Sequence, residues 1–233
     1  MLSTDVFRDN LSRVTERMSA SAIRVGRNPD ELVLIGVTKR KPAEDLLTAT
    51  ANGLAHIGEN RIQEVRDKLP GLDLHGAQRH FIGHLQSNKV RYLPGLVDVL
   101  HSVDSLTLAE KISQRYVSEG LRLPVFLQVN ISGEESKSGV EPDELSQLTG
   151  ACLAMPGLQV LGFMTIGPLT EEQSAIRRSF RSMQQLVEQQ MQEYSPELKQ
   201  ARTSMGMSAD FEIAIEEGAT HIRVGTALFG PRT

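Results

Sequence analysis

The chain has 233 residues, of which 39% are hydrophobic and 23% charged, and it carries a net charge of −4 with a pI near 5.9. This composition is typical of a globular protein, and the lack of a basic surplus argues against a nucleic-acid partner. No apolar stretch approaches the roughly 18 residues of a membrane span, no signal peptide is evident at the start, and the single cysteine excludes an intramolecular disulfide. We therefore expect a cytoplasmic protein that does not associate with membranes.

The first predicted element is a helix over residues 7–25. Its apolar residues recur at three- and four-residue steps, which places them on one face, and Gly26 followed by Asn28-Pro29 ends it. A strand follows over residues 32–37. Every residue of this strand is apolar or glycine, as expected where a parallel strand is covered on both faces.

The alternation of strand and helix then repeats along the chain. Further strands are predicted at 55–58, 80–85, 97–102, 125–131, 159–166, 202–205 and 221–224, with helical patterns between them at 43–53, 61–69, 86–93, 105–119, 143–155, 171–192 and 209–217. This order predicts an α/β fold, a single (β/α)8 TIM-type barrel with an extra N-terminal helix. An open, doubly wound parallel sheet is the alternative. Because no linker-like segment divides the chain, residues 1–233 are predicted to form one domain.

Function in a barrel is concentrated at the carboxyl ends of the strands, and Lys39 follows the first strand directly. An amine that is partly withdrawn from water has a depressed pKa, because desolvation disfavours the ammonium form. Lys39 is therefore a candidate Schiff-base nucleophile. A solvated lysine at the end of a strand is the structural alternative, and Lys41 is the rival nucleophile.

The loops after the seventh and eighth predicted strands are the usual phosphate site of such a barrel. They contain Ser208, which stands where the next helix is predicted to begin, and Gly225-Thr226. Hydroxyl groups and backbone N–H groups at such positions bind anions, although ordinary turn and cap chemistry explains the same residues.

Two further polar residues stand at strand ends. Arg223 lies on the eighth strand, where an inward guanidinium requires a partner; an anion, a ring nitrogen or a buried carboxylate would each serve. Asn60 follows the second strand and could contact a ligand or cap the next helix. His80 and His84 are predicted to share one face of a strand, but no further ligand spacing supports a metal site, so no metal is expected.

Taken together, these segments resemble the pyridoxal phosphate homeostasis protein family. The resemblance covers almost the whole chain, and its motifs are VTKRKP at 37–42, IGENRIQE at 57–64, HFIGHLQSNK at 80–89, VN at 129–130 with KSGV at 137–140, GFMTI at 162–166, SMGMS at 204–208 and RVGT at 223–226. Small departures from the family pattern occur at Thr38, Arg40, Ile57 and Arg79. None of them touches a proposed site residue.

The resemblance implies a barrel like the N-terminal domain of alanine racemase, with pyridoxal 5′-phosphate held as a Schiff base on Lys39. It further implies that Ser208, Gly225 and Thr226 hold the phosphate, that Arg223 faces the pyridine nitrogen and that Asn60 lies beside the cofactor. The resemblance also implies that the chain buffers or delivers the cofactor, so the expected partners are pyridoxal phosphate and the apo-enzymes that require it.

We expect a cofactor carrier rather than an enzyme. A racemase that uses the same cofactor is the main alternative, and a lysine-dependent aldolase is a third. A two-base racemase needs a base on each face of the substrate Cα, and the sequence offers no evident second base. An arginine at the ring nitrogen leaves that nitrogen largely unprotonated, which weakens carbanion stabilisation.

Overall fold

Eight parallel strands pair in chain order and close into a barrel, in which the eighth strand pairs with the first. This computed structural model describes residues 2–134 and 138–231. The strands are β1 Val33–Val37, β2 His56–Glu59, β3 Gln78–Phe81, β4 Val99–Val103, β5 Leu123–Gln128, β6 Leu158–Met164, β7 Arg202–Met207 and β8 His221–Val224. The predicted barrel is confirmed, and the open doubly wound sheet is wrong.

Helices lie between the strands around the barrel. The α-helices are α1 Thr4–Arg24, α2 Ala43–Ala51, α3 Ile62–Lys68, α4 Leu106–Val117, α5 Leu145–Leu153, α6 Gln173–Glu193, α7 Phe211–Glu216 and α8 Thr226–Phe229, and 3₁₀ turns occupy Pro29–Glu31, Ser87–Tyr92 and Pro142–Glu144. The segment predicted as a helix over 86–93 is therefore a 3₁₀ turn. Among the described residues, no helix has the length and apolar character that would let it cross a membrane.

The extra N-terminal helix is confirmed, and it completes the outer layer of the barrel. Helix α8 has a single turn, and α1 packs against α7, α8 and α2, so that it fills the place of a full eighth helix. The rings of Phe7 and Phe229 lie 5.7 Å apart, and Arg17 forms two hydrogen bonds with Glu212 on α7.

Strand β3 is shorter than the sequence predicts and begins two residues earlier. The predicted strand over 80–85 extends into the following loop, because Leu85 is buried there without pairing in the sheet. A Cβ atom on Gly83 would lie 2.0 Å from the carbonyl oxygen of Asn60, so the loop can pass this close only with glycine. His80 is buried in the barrel and His84 lies in the exposed loop, so the prediction that they share a strand face is wrong.

The barrel interior is unusually polar. The main aliphatic core contains the buried residues of the helices together with strand residues, whereas Val99, Phe126 and Met164 form a small separate cluster. Buried polar side chains accompany this small cluster, among them those of His80, His101, Ser204, His221 and Arg223. This polar interior lies directly beneath the carboxyl-terminal mouth of the barrel.

Candidate functional site

A cavity of about 510 Å³ opens at the carboxyl ends of the strands, where barrel proteins place their functional groups. The residues that the sequence singles out all line it: Lys39, Asn60, Ser208, Arg223, Gly225 and Thr226. Strand ends of a closed parallel barrel converge on one face, so residues far apart in the chain meet there. The structure thus brings the predicted set together in one place.

Lys39 enters this cavity from a turn that begins just after β1. The hydroxyl of the preceding residue, Thr38, donates to Glu59 Oε1 over 2.8 Å. Lys68 Nζ donates to the Thr38 carbonyl oxygen over 3.1 Å and to Glu59 Oε1 over 2.6 Å. Arg40 adopts a φ of 60°, which is uncommon for a residue other than glycine. The contacts of Thr38 therefore connect the turn that carries Lys39 to β2 and α3.

The amine of Lys41 forms its hydrogen bonds outside the main cavity. Its Nζ donates to the carbonyl oxygens of Phe229, over 2.8 Å, and Pro231, over 3.3 Å, and it does not line the main cavity. The two rival lysines thus have different surroundings, and Lys39 is the one that reaches the cavity.

Glu59 is the buried carboxyl group beneath the turn that carries Lys39. Its side chain is 1% exposed, and burial raises the pKa of Glu59 while Lys68 and Thr38 oppose that shift. Glu59 Oε2 has no hydrogen-bond partner among the described residues. The sequence pointed to Glu59 only as a member of the motif at 57–64, because the contact with Lys68 has no signal in the sequence.

Asn60 does not cap the following helix. Arg61 occupies the cap position of α3 and makes no side-chain cap bond, so the capping alternative is wrong. Asn60 Oδ1 is buried and has no hydrogen-bond partner among the described residues. Because Asn60 lines the cavity, this amide can serve a ligand.

Ser208 lies against the turn between β8 and α8. Its Oγ accepts the N–H of Gly225 over 3.2 Å and that of Ala227 over 3.4 Å. Helix α7 begins at Phe211, after Asp210 accepts the Met207 N–H over 2.5 Å, so Ser208 does not open that helix as predicted. The backbone donors of the β8–α8 turn converge on an oxygen atom here, as the oxygens of a bound anion would require.

Arg223 is 5% exposed inside the barrel. Its Nη1 donates to Ser204 Oγ and its Nη2 to the carbonyl oxygen of Thr165, each over 2.8 Å. Burial lowers the pKa of Arg223 to about 10, although Asp210 opposes the shift. Within residues 2–134 and 138–231, no carboxylate forms an ion pair with it, so the buried arginine–carboxylate alternative is wrong.

A chain of histidines continues from Arg223 through the barrel interior. His101 Nδ1 lies 3.0 Å from Ser204 Oγ, His101 Nε2 lies 2.8 Å from His80 Nδ1, and His80 Nε2 lies 3.0 Å from His56 Nδ1. The sequence did not predict this chain, because the inward direction of each side chain depends on a strand register that composition does not reveal. The only available signal was the recurrence of histidine within predicted strands.

The outer part of the cavity contains His84, which was considered from the sequence only as a metal ligand. His84 lines it, is 57% exposed, and places its Nδ1 3.4 Å from Asp104 Oδ2 and 3.3 Å from Ser138 Oγ. The structure thus places an imidazole at a site where the sequence offered no evident second base. Lys137 of the neighbouring motif lies outside the described residues, and no group of three potential metal ligands is found in the described part of the chain.

The chain is similar to known proteins over nearly its full length. Residues 30–233 match the family described as "Alanine racemase, N-terminal domain". Two proteins named "Pyridoxal phosphate homeostasis protein" are 43% identical (Aquifex aeolicus, 96% of this chain and 97% of the relative) and 37% identical (Escherichia coli, 96% and 95%).

Solved structures show the same fold. PipY of Synechococcus elongatus with PLP bound is 34% identical, with a TM-score of 0.80 over 93% of this chain and 100% of the other. An alanine racemase from Clostridium difficile is 16% identical, with a TM-score of 0.75 over 97% of this chain and 56% of the other. At that identity the racemase shows the likeness of the fold alone.

Proposed function

Because the chain belongs to the pyridoxal phosphate homeostasis protein family, we propose that it binds pyridoxal 5′-phosphate as a Schiff base on Lys39 and buffers or delivers this cofactor inside the cell. The observation that carries the proposal is that Lys39, Arg223 and Ser208 line the same cavity. PLP bound to the structural relative PipY supports the same ligand.

The residues of the cavity fit the chemical groups of this cofactor. When bound, pyridoxal phosphate supplies an aldehyde that combines reversibly with an amine, and Lys39 provides the amine. Ser208, Gly225 and Thr226 would hold the phosphate with hydroxyl and backbone N–H donors. Arg223, which has no carboxylate partner among the described residues, would present donors to the ring nitrogen, and the amide of Asn60 would lie beside the ring.

Carrying rather than catalysis is the role that these contacts favour. An arginine at the ring nitrogen does not give the protonated pyridine that stabilises carbanions best. None of the three tyrosines, all of which are described, lines the cavity: Tyr92, Tyr116 and Tyr194. One observation favours the racemase alternative, which is that His84 places an imidazole on the cavity wall.

Slow or absent amino-acid chemistry is the expected result for the loaded protein. We would incubate it with individual L- and D-amino acids in deuterated water and follow deuterium at Cα. Exchange at about 1 s⁻¹ or faster, an ordinary enzymatic rate, would favour the racemase, and its loss in His84→Ala would identify the base. Reactivation of an apo-enzyme faster than spontaneous release of the cofactor would show delivery.

Arg223→Lys is not expected to restore the affinity for pyridoxal phosphate that Arg223→Ala loses. The guanidinium divides its donors between Ser204 and Thr165 while facing the cavity, whereas an ammonium is a point charge on a flexible stem. Both variants should bind pyridoxal phosphate at least about tenfold more weakly, which corresponds to the loss of one charged hydrogen bond of roughly 1.5 kcal/mol. A lysine variant with the parent's absorption spectrum and affinity would contradict this role of Arg223.

A further inference from the structure

Arg223 presents a physical problem that its immediate contacts do not solve. A buried cation is costly unless an anion or several good acceptors compensate it, and the acceptors here are one hydroxyl and one carbonyl oxygen. The hydroxyl belongs to Ser204, and it leads directly into the histidine chain described above.

Burial favours the neutral form of each imidazole in that chain. Burial is the main cause that lowers the pKa of His80 to about 3, and the neighbouring imidazole of His56 further disfavours a charge on His80. Burial also lowers the pKa of His101 well below its ordinary value, with His80 adding to the shift, and it lowers the pKa of His56. A neutral imidazole carries one ring proton, so each ring donates one hydrogen bond and accepts one.

The arginine fixes the direction of these hydrogen bonds. Arg223 can only donate, so Ser204 Oγ accepts from it and is left to donate its own hydrogen to His101 Nδ1. His101 then carries its proton on Nε2 and donates to His80 Nδ1. By the same logic His80 carries its proton on Nε2 and donates to His56 Nδ1.

The opposite order, in which each histidine carries its proton on Nδ1, is less favourable for two reasons. His101 would donate from Nδ1, so that Ser204 Oγ would accept two bonds and its hydrogen would have no acceptor among the described residues. The ring dipoles would also point their positive ends at the guanidinium. In the first order, every group presents a lone pair toward Arg223, and aligned dipoles of this kind reinforce one another.

We propose that Ser204, His101, His80 and His56 form a relay of fixed proton order that takes the place of a carboxylate partner and positions Arg223 toward the cofactor ring. The relay runs from His56, at the amino-terminal end of β2, to Ser204 and Arg223 beneath the cavity. The positioning role rests on the proposed function, whereas the proton order is a property of the protein alone.

The proton order can be tested without the cofactor. Nitrogen-15 NMR of the imidazole rings in cofactor-free protein should show the Nε2–H form at His56, His80 and His101. Arg223→Leu removes the cation that sets the order, so this preference should be lost even at His56, which does not touch Arg223. Lys39→Ala, a change in the same cavity but outside the relay, should leave it intact. The proposal would be overturned if the parent protein showed the Nδ1–H form at these three histidines. It would also be overturned if Arg223→Leu left their tautomers unchanged.

The positioning role is tested by a matched pair of buried histidines. His221 lies in the same interior, with its ring 5.2 Å from that of Phe126, but it bonds Thr220 rather than the relay. His101→Leu should weaken pyridoxal phosphate binding about tenfold or more and shift the absorption spectrum, whereas His221→Leu should not.

A third variant separates positioning from packing. In His101→Asn an amide oxygen can accept from Ser204 at the position of Nδ1, so binding should recover relative to His101→Leu. If His101→Leu and His221→Leu weakened pyridoxal phosphate binding equally, or if His101→Asn did not restore it, His101 would act through core packing alone. If His101→Leu or His221→Leu does not fold, the ring tautomers of the parent protein, measured by nitrogen-15 NMR, decide whether the relay exists. If the parent protein binds no cofactor, the proposed function fails while the proton order can still be observed.

Discussion

Lys39→Ala is expected to abolish covalent attachment of pyridoxal phosphate, and Lys41→Ala is expected to leave it intact. Lys39 follows β1 into the cavity, whereas the amine of Lys41 donates to the carbonyl oxygens of Phe229 and Pro231. Borohydride reduction followed by peptide mass mapping should therefore place the pyridoxyl group on Lys39 alone.

Lys41→Ala is a matched control because it removes a lysine from the same turn. It should cost up to about 3 kcal/mol of unfolding free energy through the loss of two hydrogen bonds, without removing the label. A pyridoxyl group found on Lys41 in the parent protein, or retained by Lys39→Ala at the same stoichiometry, would contradict the assignment.

Pyridoxal without its phosphate should bind roughly 10²–10⁴-fold more weakly than pyridoxal phosphate. One charge-assisted hydrogen bond from Ser208 and one from the turn between β8 and α8 would contribute about 1.5–3 kcal/mol each. Every 1.4 kcal/mol changes the dissociation constant by about a factor of ten. Titration of cofactor-free protein with each ligand, followed by absorption, measures the difference.

Ser208→Ala should remove part of that difference. Its effect on pyridoxal phosphate should exceed its effect on pyridoxal, because only the first ligand has the group that Ser208 contacts in the proposal. Ser138→Ala is the control, since Ser138 lines the same cavity away from this turn. Similar affinities for the two ligands would show that no phosphate site exists here.

The barrel and the cavity could be predicted from the sequence because both depend on local patterns. Apolar strands alternate with amphipathic helices, and the parallel arrangement brings strand ends such as Lys39 and Ser208 to one face. The end of β3 was mispredicted because Leu85 is buried by loop packing rather than by strand pairing. Apolar character reports burial, and it does not separate these two causes.

The side-chain contacts beneath the cavity, which hold the site residues in place, could not be predicted in the same way. The contact of Lys68 with Glu59 joins a helix to a strand, and His101 meets Ser204 across 103 positions of the chain. Such contacts depend on register and on the direction of each side chain inside the barrel. A single sequence therefore located the groups that face the cavity but not the groups that hold them.

The position of α1 in the outer layer has a consequence for how the protein matures. Arg17 and its partner Glu212 are separated by 195 positions, so α1 docks against a helix that is synthesised much later than α1 itself. Contacts so distant in sequence slow folding, since a long loop must close before they form. Until synthesis reaches α7 and α8, the apolar face of α1 that contains Phe7 and Val14 lacks the native surface that these two helices provide. The nascent chain therefore exposes part of the apolar face of α1 until α7 and α8 have been made.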